Sequence, residues 1–370
     1  MIRPKVTNLD QIQMPYKFYS NEDLKNRYTY VEASRGCPFE CEFCLSSIDE
    51  KVRYFDQDKF LNCMQDLWDR GCRNFKFIDR TFNLNIKYAN TLMKFFLSKS
   101  ERYFLHFEVI PDNFPSSLKE MIVSFPRSSL QLEIGIQTLN PKIAQNINRK
   151  LDIPKIEKNI KFLDEHRIHM HLDLIVGLPG ESLDSFGANL DKLVLLTRGE
   201  IQIGILKKLS GTTLLRHDEI YGMIYSDEPP YDIIQNDLID YKMMQKMKRF
   251  ARFWDLTYNS GNFYSTIREL FVDGKVFENF FNFSEWIYEQ SYSTWKISLN
   301  RLSEYLFLYL TDILKQDKRV IADLLIKDII RVNGRSIPDF LRKNASSIPD
   351  LRIKNIQKSQ KRQVLRNELS

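Results

Sequence analysis

Residues 32 to 44 read Glu-Ala-Ser-Arg-Gly-Cys-Pro-Phe-Glu-Cys-Glu-Phe-Cys, and nothing else in the chain constrains the fold as strongly. Cys37, Cys41 and Cys44 fall at C-x-x-x-C-x-x-C spacing inside one turn, just after a short apolar run. Three thiolates so close together can hold three irons of a cubane cluster and leave the fourth iron with an open position. A reactive centre needs that opening, whereas a purely electron-transferring cluster usually has all its irons capped. Gly36 and Pro38 keep the segment out of a regular helix, which leaves backbone amides free to point at the sulfurs. Phe43, directly before the last cysteine, offers a flat face for a ligand beside the cluster. The same spacing also suits a zinc knuckle with a distant fourth ligand, which would make the protein a zinc-stabilised binding module.

The remaining composition narrows the setting. A chain of 370 residues is long enough for one large domain or two modest ones. Its 43% apolar and 28% charged residues are ordinary for a folded protein. The net charge of +6, from 54 basic and 48 acidic residues, does not by itself call for nucleic acid. Five cysteines, three of them clustered, make no disulfide framework and fit a reducing compartment. The start Met1-Ile2-Arg3-Pro4-Lys5 leads into a polar stretch, not a signal-peptide core, and no apolar run is long enough for a membrane span. These features predict a cytoplasmic protein with no membrane segment.

Along the chain, residues 1 to 28 read as an extended lead-in with at most one short helix. Six short β-type runs come after it: Tyr28–Ala33, Asn74–Ile78, Phe104–Val109, Leu130–Ile134, His169–Val176 and Glu200–Leu206. Stretches of helical periodicity separate them, such as Asp58–Arg70 with Phe60, Leu61, Met64, Leu67 and Trp68 on one face. Strands alternating with helices predict a parallel sheet with right-handed crossovers. The predicted fold is α/β, an open partial (β/α)6 barrel over residues 29–225, followed by a mostly helical C-terminal domain over 226–370. Asp227-Glu-Pro-Pro-Tyr231 reads as the linker. The helical patterns beyond it are Leu238–Trp254, Tyr264–Phe280, Trp286–Leu314 with a break, and Val320–Arg331. Leu351–Ser370 is a basic tail, with six basic residues against one acidic, and reads as a solvated segment.

In β/α barrels, functional groups sit at the strand C-terminal ends. Glu108 closes the third strand, Gln137 the fourth, with Arg149 twelve residues later, and Asp173 lies on the fifth just before Gly177-Leu178-Pro179-Gly180. His169 and His171 share a strand face, and with His166 form a histidine group read as strand-edge or core residues. Cys63 and Cys72 read as ordinary buried thiols.

The cysteine loop, Ile134-Gly-Ile-Gln-Thr138 with Asn148-Arg149, and Asp173-Leu-Ile-Val-Gly-Leu-Pro-Gly180 together resemble the radical S-adenosylmethionine (SAM) superfamily. The likeness is greatest to cobalamin-binding-type members with a helical C-terminal domain of unknown function, and covers about residues 28 to 215. It implies a 4Fe–4S cluster on Cys37, Cys41 and Cys44, and SAM cleaved by one electron to a 5′-deoxyadenosyl radical. Glu108 and Gln137 would bind the SAM ribose, Arg149 its carboxylate with Asp173 nearby, and the backbone around Phe43 and Leu178 its adenine. The second strand departs from the family: Asp79-Arg-Thr-Phe-Asn83 replaces a Gly-rich turn that binds the SAM amine, leaving Asp79 or Thr81 as substitutes. An electron donor such as flavodoxin or ferredoxin is implied as partner. The substrate, small molecule or RNA, is left open, with a tRNA-modifying enzyme as the alternative. The relatives place a cobalamin-binding domain before the barrel. Here about 28 residues precede it and no D-x-H-x-x-G motif occurs, so the expectation is that cobalamin, if used, comes on a separate protein.

Overall fold

The computed structural model describes residues 8–348 except Val272 and Asn333. The basic tail therefore lies outside the described residues. All six expected strands form: β1 (Thr29–Val31), β4 (Asn74–Phe77), β5 (Phe104–Val109), β6 (Leu130–Gln137), β7 (His169–Val176) and β8 (Glu200–Ile205). They make one parallel sheet in the order β1-β4-β5-β6-β7-β8, so each crossover adds the next strand to the same edge. Between them run α2 (Gln57–Asp69), α3 (Ile86–Leu97), α4 (Ser116–Val123), α5 (Pro141–Asn146), α6 (Ile153–Glu165) and α7 (Leu183–Leu196). Two short antiparallel ribbons complete the strands: β2 (Ser34–Arg35) with β3 (Arg53–Tyr54), and β9 (Ile224–Tyr225) with β10 (Ile233–Gln235).

Contacts divide the chain into two compact units. One holds residues 1–173 and 208–216, the other 174–207 and 217–370. The line between these units falls inside β7.

In the first unit, strand alternation sorts the side chains. Phe75, Phe77, Leu105 and Phe107 are fully buried with Phe60 of α2 and Phe96 of α3. Phe77 and Phe107 meet with ring centroids 4.6 Å apart, and Phe82 stacks on Phe107 at 3.7 Å. The alternate positions carry charge: Lys76 is paired with His106 in the β4–β5 register, and Glu108 with Glu133 in β5–β6. One face of the sheet is therefore oil and the other polar. The lead-in covers the free edge of β1. Tyr16 Oη donates to Glu32 O at 3.2 Å and accepts from Glu32 N at 2.9 Å, and Tyr19 Oη does the same for Tyr30 at 2.9 and 3.2 Å. Two phenols thus satisfy backbone groups that an edge strand leaves open. Helix α1 (Asn21–Asn26), closed by a Ser20–Asp23 capping box, comes next in the chain.

The second unit joins α7 and β8 to α8 (Tyr241–Trp254), α9 (Val276–Ser291), α10 (Leu299–Leu308), α11 (Lys318–Ile330) and α12 (Asp339–Asn344). Trp254, fully buried, donates from Nε1 to Ile201 O at 2.9 Å. Asn259 brackets the same residue, accepting from Ile201 N at 3.0 Å and donating to Ile201 O at 2.9 Å. Asp191 of α7 accepts from Phe277 N at 2.7 Å, satisfying an amide in the first turn of α9. The helix expected over 264–280 is broken: a 3-10 turn spans Thr266–Leu270, Gly274 takes φ +78°, and α9 starts at Val276. The expected linker at 227–231 is the turn between β9 and β10. No described helix is long and apolar enough to cross a membrane.

Candidate active site

The cysteine loop is a closed structure. The β2–β3 ribbon brings its two ends together, with Ser34 opposite Tyr54 and Arg35 opposite Arg53. Gly36 has φ +92°, and a Cβ there would lie 2.9 Å from Asp49 O and closer still to Lys51 O. No side chain fits at that crossing. Several loop amides are occupied by carbonyls and do not serve the sulfurs as expected: Cys37 N donates to Asp49 O at 2.9 Å, Glu42 N to Ile147 O at 3.2 Å and Cys44 N to Cys41 O at 3.0 Å. Burial pushes the Cys37 thiol up, and the Phe39 amide and the more distant Arg149 charge pull against it.

Cys37, Cys41, Phe43 and Cys44 open onto a cavity of about 220 Å³. Glu108, Gln137, Arg149 and Asp173 line the same cavity. Residues from sequence positions 37 to 173 are thus assembled at one end of β5, β6 and β7, as barrel topology dictates. Leu178 is fully buried. Cys63 and Cys72 stay out of the cavity; Cys72 Sγ lies 3.1 Å from Thr29 Oγ1.

Four buried polar atoms of the lining have no hydrogen-bond partner: Thr81 Oγ1, Gln137 Oε1, Arg149 Nε and Asp173 Oδ1. A buried polar atom without a partner costs roughly 1–3 kcal/mol, so four around one cavity describe a surface shaped for a polar ligand. Arg149 is aimed by two contacts, Nη1 to Cys41 Sγ at 3.3 Å and Nη2 to Gly135 O. Gly135 matters here because a Cβ would lie 2.8 Å from Gln137 Nε2. Gln137 itself sits at φ +68°, an unusual conformation for a residue with a side chain.

Of the charged wall around these atoms, Glu108 was read in the sequence, and Lys76, His106 and Glu133 were not. Arg80 Nη1 donates to both Glu108 carboxylate oxygens, at 3.0 and 3.1 Å. Glu133 accepts from buried His106 Nε2 at 2.9 Å and lies 3.9 Å from Lys76 Nζ. Burial raises the Glu133 carboxyl, but the His106 hydrogen bond and the charges of His106, His171 and Lys76 outweigh it and hold it down at about 2. Asp173 moves the opposite way: burial, then Glu133 and Glu108, push its carboxyl well above the usual carboxylate range against the pull of Arg149. The signal was available, since His106, Glu133 and Lys76 occupy same-face positions on strands already recognised. Of the two substitutes for the Gly-rich turn, Thr81 lines the cavity. Asp79 does not, and accepts instead from Ala33 N at 3.0 Å and Ser34 Oγ at 2.6 Å.

The histidines are spread out. His169 Nε2 lies 3.3 Å from Gln131 Nε2, His171 Nε2 3.8 Å from Asp173 Oδ1, and His166 Nδ1 2.8 Å from Phe162 O. Among the described residues, no three His, Cys, Asp or Glu are placed around a single metal ion.

Comparison with known families shows which domains the chain carries. Residues 31–193 match the radical SAM superfamily. The chain carries a radical SAM domain, which is an enzyme domain. Residues 219–369 match a second family, DUF4080, described as a protein of unknown function, so the radical SAM domain is followed by a module without an assigned role. The chain is 23% identical over 221 residues to an uncharacterized methyltransferase of Pyrococcus horikoshii, covering 57% of this chain and 47% of the relative. It is 21% identical over 222 residues to a tRNA-2-methylthio-N(6)-dimethylallyladenosine synthase of Fervidobacterium nodosum, covering 56% and 49%. The chain thus spans about half the length of these curated relatives. Among solved structures, the cobalamin-dependent SAM radical enzyme OxsB, with aqua-cobalamin and SAM bound, matches 82% of this chain and 53% of its own. The TM-score is 0.50 at 13% identity, a likeness of fold alone, and it reaches beyond the radical SAM domain.

Proposed function

We propose that Cys37, Cys41 and Cys44 hold a 4Fe–4S cluster, and that the cavity beside them binds SAM. The observation that carries this reading is the convergence of three cysteines and four unpartnered buried polar atoms on one cavity. A cluster held there would supply one electron to the SAM sulfonium, splitting it into methionine and a 5′-deoxyadenosyl radical able to act on a substrate. The chain's own task is to bind, orient and exclude water. Arg149, fixed through both Nη atoms, presents its free Nε–H to the SAM carboxylate. Gln137 and Glu108 face the ribose hydroxyls, and Thr81 Oγ1 replaces the missing Gly-rich turn at the amine. Phe43 provides the flat wall. Burial favours the protonated form of Asp173, and in that form its carboxyl can donate as well as accept. Phe39, Val109 and Ile110 supply apolar lining that keeps bulk water out.

This reading requires an electron donor, of the flavodoxin or ferredoxin type, and a reducing compartment, which places the protein in the cytoplasm. The substrate class, small molecule or RNA, stays unassigned, and a separate cobalamin-binding protein remains a candidate partner. Anaerobic reconstitution tests the reading. The wild-type chain is expected to take up about four irons, by the cluster stoichiometry, to show a cluster EPR signal that SAM alters, and to release 5′-deoxyadenosine with dithionite. Cys37→Ala, Cys41→Ala and Cys44→Ala should each lose the cluster, and Cys63→Ala and Cys72→Ala should keep it. A wild-type protein that binds zinc and no iron would sink the proposal.

A further inference from the structure

Four consecutive residues at the end of α5 and just beyond it grip the cysteine loop or the arginine bound to it. Asn146 O accepts from Arg216 Nη2 at 3.2 Å. Ile147 O accepts from Glu42 N at 3.2 Å. Asn148, at φ +51°, donates from Nδ2 to Glu40 Oε2 at 3.0 Å. Arg149 Nη1 reaches Cys41 Sγ at 3.3 Å. Against this segment, Arg216 forks onto Glu42: Nη2 lies 2.6 Å from Oε1 and Nε 2.9 Å from Oε2. The Glu42 side chain is only 8% exposed, and it lies between two of the three cysteines.

A carboxylate buried beside a cluster is a poor choice unless something offsets it. Its desolvation is costly, and its charge would make electron entry harder. The bidentate arginine answers both, and its fork fixes direction as well as charge. Arg216 comes from a segment far along the chain, after β8, so the pair ties the cluster loop to two separate parts of the first unit. We propose that Glu42 and Arg216 form a clamp that positions the Cys41–Cys44 half of the loop and sets the reduction potential of the bound cluster. Neither touches the cavity, so both are positioning residues. The proposal rests on the cluster reading above.

The test uses the full chain, reconstituted anaerobically, with the cluster midpoint potential followed by EPR-monitored redox titration. Glu42→Gln removes a negative charge from the cluster loop and should raise the potential. Arg216→Met takes the bidentate cation away from Glu42 and should lower it. The double variant should return toward wild type, and Arg216→Lys, which keeps the charge, should stay near it. A clamp that merely held the loop in shape would move both single variants the same way, so shifts of like sign, or none, overturn the proposal. Hydrogen exchange of the cluster-free protein gives an independent reading. Peptides spanning residues 40–45 should lose protection in Arg216→Met and keep it in Arg216→Lys; unchanged protection in Arg216→Met also overturns the clamp. If the wild-type chain takes up no cluster, the functional reading falls, and the exchange experiment still decides whether the clamp exists.

Discussion

Arg149 carries the sharpest prediction at the scale of single residues. Its Nε is buried without a partner while both Nη atoms are engaged, so the guanidinium is already aimed before any ligand arrives. Preorganisation of that kind means little is lost in ordering the side chain on binding. Arg149→Ala should weaken SAM binding roughly ten- to a hundredfold, as expected for a charge-assisted hydrogen bond of about 1.5–3 kcal/mol, and leave iron content unchanged. Gln137→Ala should weaken it less, because a neutral contact is lost. Calorimetric titration of SAM into each reconstituted variant checks this; equal affinity in wild type and Arg149→Ala would remove Arg149 from the site. Both residues were legible in the sequence, because short motifs place them. Thr81 was legible only as one of two substitutes, since Asp79 and Thr81 are both polar and only the fold shows that Asp79 turns back to Ala33 and Ser34. Glu133 and His106 were missed although their strands were found. Reading the strands as elements, without sorting their alternate positions by face, hid the charged wall.

Among the elements, the end of β4 and the start of the cysteine loop are joined through Asp79. Burial, only partly offset by hydrogen bonds from Ser34 and Ala33, raises its carboxyl to about 6. The folded protein therefore holds a proton on Asp79 more tightly than the unfolded chain does. Stability attributable to this group is greatest below about pH 4 and falls as pH rises to about 6, by an amount on the order of 3 kcal/mol. Asp79→Asn keeps the shape and removes the titration. The stability difference between variant and wild type, measured by urea unfolding across pH 4 to 8, should grow through that window in favour of the variant and level off above it. A difference independent of pH would show that Asp79 is ionised in the fold. Helix α7 offers a second test. Alanine in place of a mid-helix glycine normally gains about 1 kcal/mol, but a Cβ on Gly187 would meet the Phe277 ring at 2.6 Å. Overpacking against an aromatic ring should win, so Gly187→Ala is expected to destabilise by about 1–3 kcal/mol. A rise in melting temperature would contradict that contact. Periodicity placed α7 in the sequence but could not say what its glycine faces.

For the whole molecule, the sequence pointed to a boundary near residue 225, where composition changes and Asp227-Glu-Pro-Pro-Tyr231 looks like a linker. Contacts draw a line between compact units inside β7, because composition reports what a segment is made of and not what covers it. Helix α7 and strand β8 have barrel-type periodicity, yet they also take partners from beyond residue 240. Trp254 and Asn259 bond Ile201, Asp191 bonds the amide of Phe277, and Phe186 packs on the Phe277 ring with centroids 5.8 Å apart. A fragment ending at residue 225 would uncover Phe186 and leave Asp191 and the Ile201 backbone without those partners. Burying a large aromatic side chain is worth about 1.5–3 kcal/mol and each orphaned buried polar group costs about 1–3 kcal/mol. Several such losses in one region rival the 5–15 kcal/mol by which a typical domain is stable. The fragment 1–225 is therefore expected to aggregate, or to persist with α7 and β8 open to protease, while the full chain resists. Hydrogen exchange at the Ile201 amide is the most direct readout, since its bond to Asn259 Oδ1 at 3.0 Å exists only in the full chain. A soluble fragment whose Ile201 amide is as protected as in the full chain would show that the barrel stands without its helical neighbour.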